Sequence, residues 1–272
     1  MGLASPLVAQ RRFRLPEAMK EVSGLYVEQP NRLWWHNDSG HAPVLYLTDG
    51  EGRLQAAYPL ACNSIDWEDI SHDEQGNIYI GDIGDNREVR DTLTIYRFQP
   101  ANGQLDSLRY QYEGGQHFNS EAFFWHNDSL HIFTKSRIRR AKLPVYHFVV
   151  PAQMGVHTAT LRDSFALRKR VVTAAAIDED TGKVGLLAYY FTRRLGFIPY
   201  SAANVYWFDD YSGNRFLRGQ MTSKRISCVV ATQYESLDIW EGDEWMVASE
   251  QTLFIKAKAK KVKAKRRPVP MR

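Results

Sequence analysis

Ile65-Asp66-Trp67-Glu68-Asp69-Ile70 carries two carboxylates two residues apart, and sixteen residues on, start to start, it is echoed by Gly81-Asp82-Ile83-Gly84-Asp85-Asn86. In an extended segment, residues two apart point to the same side of the strand. The first stretch therefore reads as a strand with an acidic face, and the second as an acidic, glycine-rich turn within reach of it. Four other segments follow the same pattern of polar, any, polar or small, any, apolar. They are Glu21-Val-Ser23-Gly-Leu25, Asn119-Ser-Glu121-Ala-Phe123, Thr173-Ala-Ala175-Ala-Ile177 and Gln233-Tyr-Glu235-Ser-Leu237, with starts 45 to 60 residues apart.

Each segment leads into a turn rich in Asp, Asn, Gly or Pro, such as Asp73-Glu-Gln-Gly-Asn77 or Asp178-Glu-Asp-Thr-Gly182. These residues supply the chemistry of tight hairpins. An apolar second strand follows each turn, among them Leu33–Asn37, Ile78–Asp82 and His131–Lys135, and third strands follow at Val44–Leu47, Leu93–Phe98 and Thr252–Ile255. Four short antiparallel strands in a unit of about fifty residues describe a β-propeller blade. The fold expected is all-β, a single β-propeller with five blades as first choice and six as the alternative. Arg12–Leu15 supplies a strand that completes the last blade and closes the ring, which removes exposed sheet edges. The expected division is a disordered end or signal remnant at 1–11, the propeller at 12–256 and a basic strand or tail at 257–272.

Composition agrees with this reading. The 272 residues are 44% hydrophobic and 12% aromatic, with seven Trp and fourteen Tyr, and bulky rings suit a pleated surface. No apolar run is long enough for a membrane-spanning helix. The formal charge of +4 hides an asymmetry. Nine basic residues and no acidic ones lie between Lys256 and Arg272, leaving the rest at −5. Lysines alternating with small residues suit the solvent face of an edge strand, with adhesion to an anionic surface as the other reading; nucleic acid is disfavoured. Arg137, Arg139, Arg140 and Lys142 form a second basic group, and Arg168, Lys169 and Arg170 a third. Cys62 and Cys228 match no metal motif and are read as free or buried thiols.

In a propeller the first strand of every blade lines a central channel. The alignment then gives a ring of Ser23, Glu68, Glu121, Ala175 and Glu235, beside a second ring of Glu21, Asp66, Asn119, Thr173 and Gln233. The ends of the second strands add Asn37, Asp82, Lys135, Tyr189 and Glu250. Crowded carboxylates must be protonated, solvated, paired with a cation or occupied by a metal. Lys135 is the obvious internal counter-charge. Asp66, Glu68, Asp82, Asp85, Asn86, Glu121 and Glu235 are the candidate metal ligands, and oxygen donors of this kind favour Ca²⁺. Asn37, Asn119, Lys135, Tyr189 and Glu250 are candidate channel lining. Solvated lining without a cation remains the plain alternative. No His-Glu-x-x-His, Cys-x-x-Cys or Gly-x-Ser-x-Gly pattern occurs, so zinc and serine-nucleophile chemistry lack support. Trp35-His-Asn-Asp-Ser39 recurs as Trp125-His-Asn-Asp-Ser129 at a different place in the repeat, and the match is read as chance.

Trp35-His-Asn-Asp-Ser-Gly40, Asp66-Trp-Glu-Asp-Ile70, Gly81-Asp-Ile-Gly-Asp-Asn86 and Asn119-Ser-Glu-Ala122 resemble recurring motifs of a bacterial family of secreted or envelope β-propellers. That family is similar in architecture to phytase-like, SMP-30-like and NHL propellers. The resemblance implies export to the periplasm, cell surface or medium, often a bound Ca²⁺, and in related architectures hydrolysis of phosphoesters or lactones. Ala175 departs from the acidic pattern, and the dense Lys and Arg lining of a phytate site is absent. Two functions follow as expectations. The first is a non-enzymatic propeller whose channel carboxylates hold a cation and whose rims bind an envelope or surface protein. The alternative is a metal-dependent hydrolase of phosphoester, ester or lactone substrates, with Glu68, Glu121 or Glu235 as general base.

Overall fold

A computed structural model describes residues 12–135, 144–167, 170–194, 198–230, 232–252 and 255–264, with the side chains of 191–194, 198–199 and 227–230 left out of account. The expectations for 1–11, for Arg137 to Lys142, for Arg168 and Lys169 and for the tail beyond 264 lie outside the described residues, as does the Cys228 side chain. Cys62 is a free thiol.

Among the described residues, twenty strands follow in chain order. The short β1 (Arg12–Arg14) comes first. The next four are β2 (Val22–Gln29), β3 (Arg32–Asn37), β4 (Val44–Thr48) and β5 (Leu54–Pro59). Then come β6 (Trp67–His72), β7 (Ile78–Asp82), β8 (Leu93–Gln99) and β9 (Gln104–Tyr112). A third run holds β10 (Ser120–His126), β11 (Ser129–Thr134), β12 (Val145–Pro151) and β13 (Gly155–Phe165), and a fourth β14 (Val171–Asp178), β15 (Lys183–Arg194), β16 (Ile198–Asp209) and β17 (Gln220–Val230). The last strands are β18 (Tyr234–Glu241), β19 (Glu244–Ser249) and β20 (Lys258–Lys263).

Each run pairs antiparallel in sequence order, and the last is completed by β1, which pairs outside β20. The second and third runs also join through a parallel contact of their outer strands, β9 and β13. The innermost strands form a closed circuit. β2 packs on β6, β6 on β10, β10 on β14, β14 on β18, and β18 returns to β2. This is a single β-propeller.

The core follows from that circuit. Apolar residues collect between neighbouring sheets rather than within one. Trp34 and Leu45 of the first run meet Trp67, Ile80 and Phe98 of the second, and Trp207 of the fourth meets Trp245 of the last, their rings edge-on at 6.2 Å. A sheet buried on both faces needs apolar residues on both, which is why a second strand such as that over 184–188 reads as a continuous apolar run. The tightest turns obey local chemistry. Asn127 and Asp128 both have positive φ, 47° and 55°, in the two-residue link between β10 and β11, the backbone that Asn and Asp tolerate best in hairpins.

Two expectations are corrected. The third strand of the last repeat lies at Lys258–Lys263, not at Thr252–Ile255, because a longer connection follows β19. The lysine-rich segment is accordingly an interior strand between β19 and β1 and not an edge.

Candidate functional site at the acidic channel mouth

All five inner strands are bulged near their start. The register slips at Ser23, at Glu68–Asp69, at Glu121, at Thr173 and at Glu235. A bulge adds an unpaired residue and re-aims its side chain, so these residues turn toward the axis. Four of the five were expected there. In the fourth repeat the ring position belongs to Thr173, two residues before Ala175, which instead gives its backbone N–H to Asp69 at 3.0 Å. The hydroxyls of the ring stitch neighbouring strands together: Ser23 donates to the Glu68 carbonyl and Thr173 to that of Tyr234.

Asp69 is the deepest of these groups. Its carboxylate accepts the N–H of Ile70 on its own strand, of Phe123 on β10 and of Ala175 on β14. Burial holds its carboxyl well above the usual range. Asp69 joins three inner strands and is not available to a ligand.

Just beyond the bulges, in four of the five repeats, a residue following the second strand hydrogen-bonds back to the start of the first. Asp38 N–H donates to Glu21 O at 2.8 Å, Lys135 N–H to Asn119 O at 2.8 Å and Glu250 N–H to Gln233 O at 3.1 Å, and Gly84 N–H makes the matching donation to Asp66 O at 3.1 Å. Asp38, Gly84, Lys135 and Glu250 are therefore structural equivalents. This shifts the expected lining by one residue in the first repeat. Asn37 faces away and donates to Ala18 O, while Asp38 enters the mouth.

The consequence is a compact acidic centre. Asp38 lies in two groups whose ligand oxygens are all within 4.8 Å of one another, one with Asp66 and Glu68, the other with Glu235 and Glu250. Glu121 completes the set through an ion pair with Lys135, whose ammonium also sits 5.9 Å from the Tyr189 ring. Gly84 makes room for the first group: a Cβ there would stand 2.2 Å from Glu68 Oε1 and 2.4 Å from the Asp66 carboxyl.

The electrostatics follow from crowding. Burial first, and then Glu121 and Asp38, raise the Glu68 carboxyl well above its usual range; burial and Glu250 do the same to Glu235. Burial pushes Glu121 up to about 7 against the pull of Lys135, and pushes Glu250 up to about 7. Asp38 and Asp66 are raised by burial too, Asp66 also by Asp38. Burial works against the Lys135 charge, but Glu121, Tyr189 and Glu235 together hold its pKa well above the ordinary value.

Other expected ligands do not join this centre. Asp82 accepts the N–H groups of Ile65 and Asp66 at 3.2 and 3.1 Å and pairs with Arg90 at 2.9 Å. It stands one place behind the mouth. Asp85 accepts from Val89 and Arg90 at 2.6 and 2.7 Å, closing its own loop. Asn86 is exposed and 3.4 Å from Asn119, whose amide is shared with Glu121 at 2.9 Å. Asp38 was missed; its one signal was the repeated Trp-His-Asn-Asp-Ser, whose second copy makes a hairpin turn while the first delivers Asp38.

The opposite mouth is different. A cavity of about 370 Å³ there is lined by Tyr26, His72, Asp73, Trp125, Glu179 and Asp238, among others. A further polar chain, Asp163 to His147 to His131, has links of 2.8 and 2.9 Å and is enclosed within the third run. Burial lowers both imidazoles, so they are neutral, and Asp163 also accepts Leu217 N–H at 3.1 Å. That chain is scaffolding.

No protein-family profile matches the chain, and no curated protein matches it in sequence. Solved structures do resemble it. A gluconolactonase from Xanthomonas campestris aligns over 94% of this chain and 92% of its own, with TM-score 0.51 and 12% identity. An α-L-arabinofuranosidase from Fusarium graminearum aligns over 94% and 98%, with TM-score 0.50 and 10% identity. These are propeller enzymes. A GDP-Man-dependent mannosyltransferase from Leishmania mexicana is similar over 95% and 90%, also at 0.50 and 10%. At such identities the likeness is one of fold. No helix among the described residues is long and apolar enough to cross a membrane.

Proposed function

We propose that the chain is a metal-dependent hydrolase of ester, lactone or phosphoester substrates, working at the acidic channel mouth. The observation that carries this reading is Asp38, a carboxylate shared by two acidic groups beside a single buried ammonium. The donors are hard oxygens, close enough to converge on one ion, and no sulfur or imidazole is among them; that set fits Ca²⁺. Gly84, which keeps a side chain out of the space beside Asp66 and Glu68, fits the same purpose. Asp38, Asp66 and Glu68 would hold the cation, which when bound supplies Lewis-acid polarisation of a substrate oxygen.

The remaining residues divide the proton work. Glu250 is half-buried and its carboxyl sits near 7, where a general base is most effective at neutral pH. Gln233 Nε2 bridges Glu250 and Glu235 at 2.9 and 3.1 Å and fixes their orientation. Burial and Glu250 raise the Glu235 carboxyl well above its usual range, which favours the protonated form that can return a proton to a leaving group. Lys135 holds Glu121 and brings positive charge to the mouth, where developing negative charge on the substrate is stabilised. The lactonase and glycosidase among the similar folds lend this reading support over a purely binding role.

The test measures melting and turnover together. Wild type, Asp38→Asn and Glu250→Gln are titrated with Ca²⁺, Mg²⁺ and Mn²⁺, and assayed on aryl esters, δ-lactones and aryl phosphates. Asp38→Asn is expected to lose both the cation-induced rise in Tm and activity. Glu250→Gln keeps the rise but loses roughly 100-fold or more in kcat. Cation-dependent stability without turnover on any substrate would favour the binding propeller with an envelope or surface partner; no response to any cation would overturn both.

A further inference from the structure

The closing sheet carries a second charged feature, on its outer strands and opposite in sign to the acidic mouth. β1 and β20 pair so that Arg12 stands opposite Lys260 and Arg14 opposite Lys258, with Phe13 opposite Ala259 between them. Phe13 and Ala259 are buried in the core shared with the first run. Strand alternation then puts all four cations on the other face. Like charges directly opposite one another in a ladder are destabilising, and here they come in two successive pairs.

Lys260 gives its ammonium to the Ile226 carbonyl and lies 4.9 Å from the Tyr234 ring centroid, but little among the described residues offsets the other three. Arg12, Arg14, Lys256 and Lys258 line a cavity of about 810 Å³ whose one acidic lining residue is Glu51. Glu51 is already paired with Arg53, and Lys256 reaches Glu17 only at 3.8 Å. Burial first, then Arg12, lowers the Lys258 ammonium, and burial with Arg12, Lys258 and Lys224 pushes that of Lys260 down to about 8. A surface that keeps paired like charges without a use for them loses stability for nothing.

We infer that this crevice, where the first and last strands meet, is a binding site for an oligophosphate anion. Guanidinium forks grip phosphate oxygens in pairs. The cations recur every second residue, about 7 Å, on strands about 5 Å apart, a spacing that engages several linked phosphates better than a single small anion. The site is independent of the hydrolase reading.

Calorimetric titration of the full chain with tripolyphosphate, in buffer of physiological ionic strength, tests it. Wild type is expected to bind saturably, and the double variant Arg12→Gln/Arg14→Gln at least tenfold more weakly. Without ligand the double variant should melt higher, because the opposed charges are gone; a gain in Tm joined to a loss of binding also shows that it folds. Phosphatidylglycerol vesicles, with phosphatidylcholine as control, form the second arm. Variant-sensitive binding there identifies the phosphate source as a lipid headgroup, and binding of tripolyphosphate without vesicles identifies a free ligand. No binding in either arm, or equal affinity of wild type and variant, would overturn the inference.

Discussion

Asp69 shows how much a single side chain can hold in a ring of strands. Its carboxylate receives N–H groups from three inner strands, two of them not its own. Truncation to alanine would leave the Phe123 and Ala175 amides buried without an acceptor, at about 1–3 kcal/mol each. Urea denaturation of Asp69→Ala should therefore show a loss of about 3 kcal/mol, and Asp69→Asn, which keeps an acceptor oxygen, a smaller one. Nothing in Trp67-Glu68-Asp69-Ile70 distinguishes this role from that of Glu68 next to it. Both are acids in one strand, and only a bulge that admits two unpaired residues separates the one facing the mouth from the one bonded across the axis. Asp38 was hidden for a related reason: it follows a strand end, and strand ends cannot be fixed to one residue from an apolar pattern.

Among elements, the inner strands were legible and their register was not. The polar-x-polar pattern puts Ser23, Glu68, Glu121 and Glu235 at matching places, and each of them occupies a bulge that interrupts an apolar strand. Thr173 and Ala175 exchanged places because Thr173 is the one polar residue between Val171 and Ile177, and a single landmark fits either ring. The loop from Gly81 to Asn86 looked like a ligand cradle, yet Asp82 and Asp85 satisfy backbone amides and Arg90. Its contribution to the mouth is the missing side chain of Gly84. Gly84→Ala is expected to fold, because the Glu68 and Asp66 carboxylates it would meet at 2.2 and 2.4 Å can swing aside. It should nonetheless weaken Ca²⁺ binding at least tenfold, read as a smaller Ca²⁺-induced shift in Tm. An unchanged shift would remove Asp66 and Glu68 from the ligand set.

For the whole molecule, the acidic mouth makes stability depend on pH in a definite direction. Glu121 and Glu250 are pushed up to about 7, and Glu68 and Glu235 are raised well above their usual range, whereas unfolded glutamates titrate at about 4.3. The folded state thus holds more protons than the unfolded one, and the associated stability, complete below the unfolded value, drains away as pH rises through the folded values. The buried histidines act oppositely, since their lowered values make the fold gain stability up to about pH 6.5. Between about pH 6.5 and 8 the carboxylates dominate. Scanning calorimetry should then record a Tm that falls with rising pH in chelator, with saturating Ca²⁺ flattening most of the slope. A slope identical with and without Ca²⁺ would argue against the proposed cation.

The pairing of β1 with β20 imposes an order on biosynthesis. Arg12–Arg14 leaves the ribosome among the earliest residues of the fold and finds its neighbour only after Lys263 has been made. Until then every completed sheet has unsealed flanks, and the nascent ring is a curved ribbon open to intermolecular strand exchange. Such long-range closure is slow relative to hairpin formation. A chaperone that shelters the waiting amino-terminal strand, or a rearranged gene that begins at β2 and appends β1 directly after β20, would relieve that delay and raise the yield of correctly assembled protein.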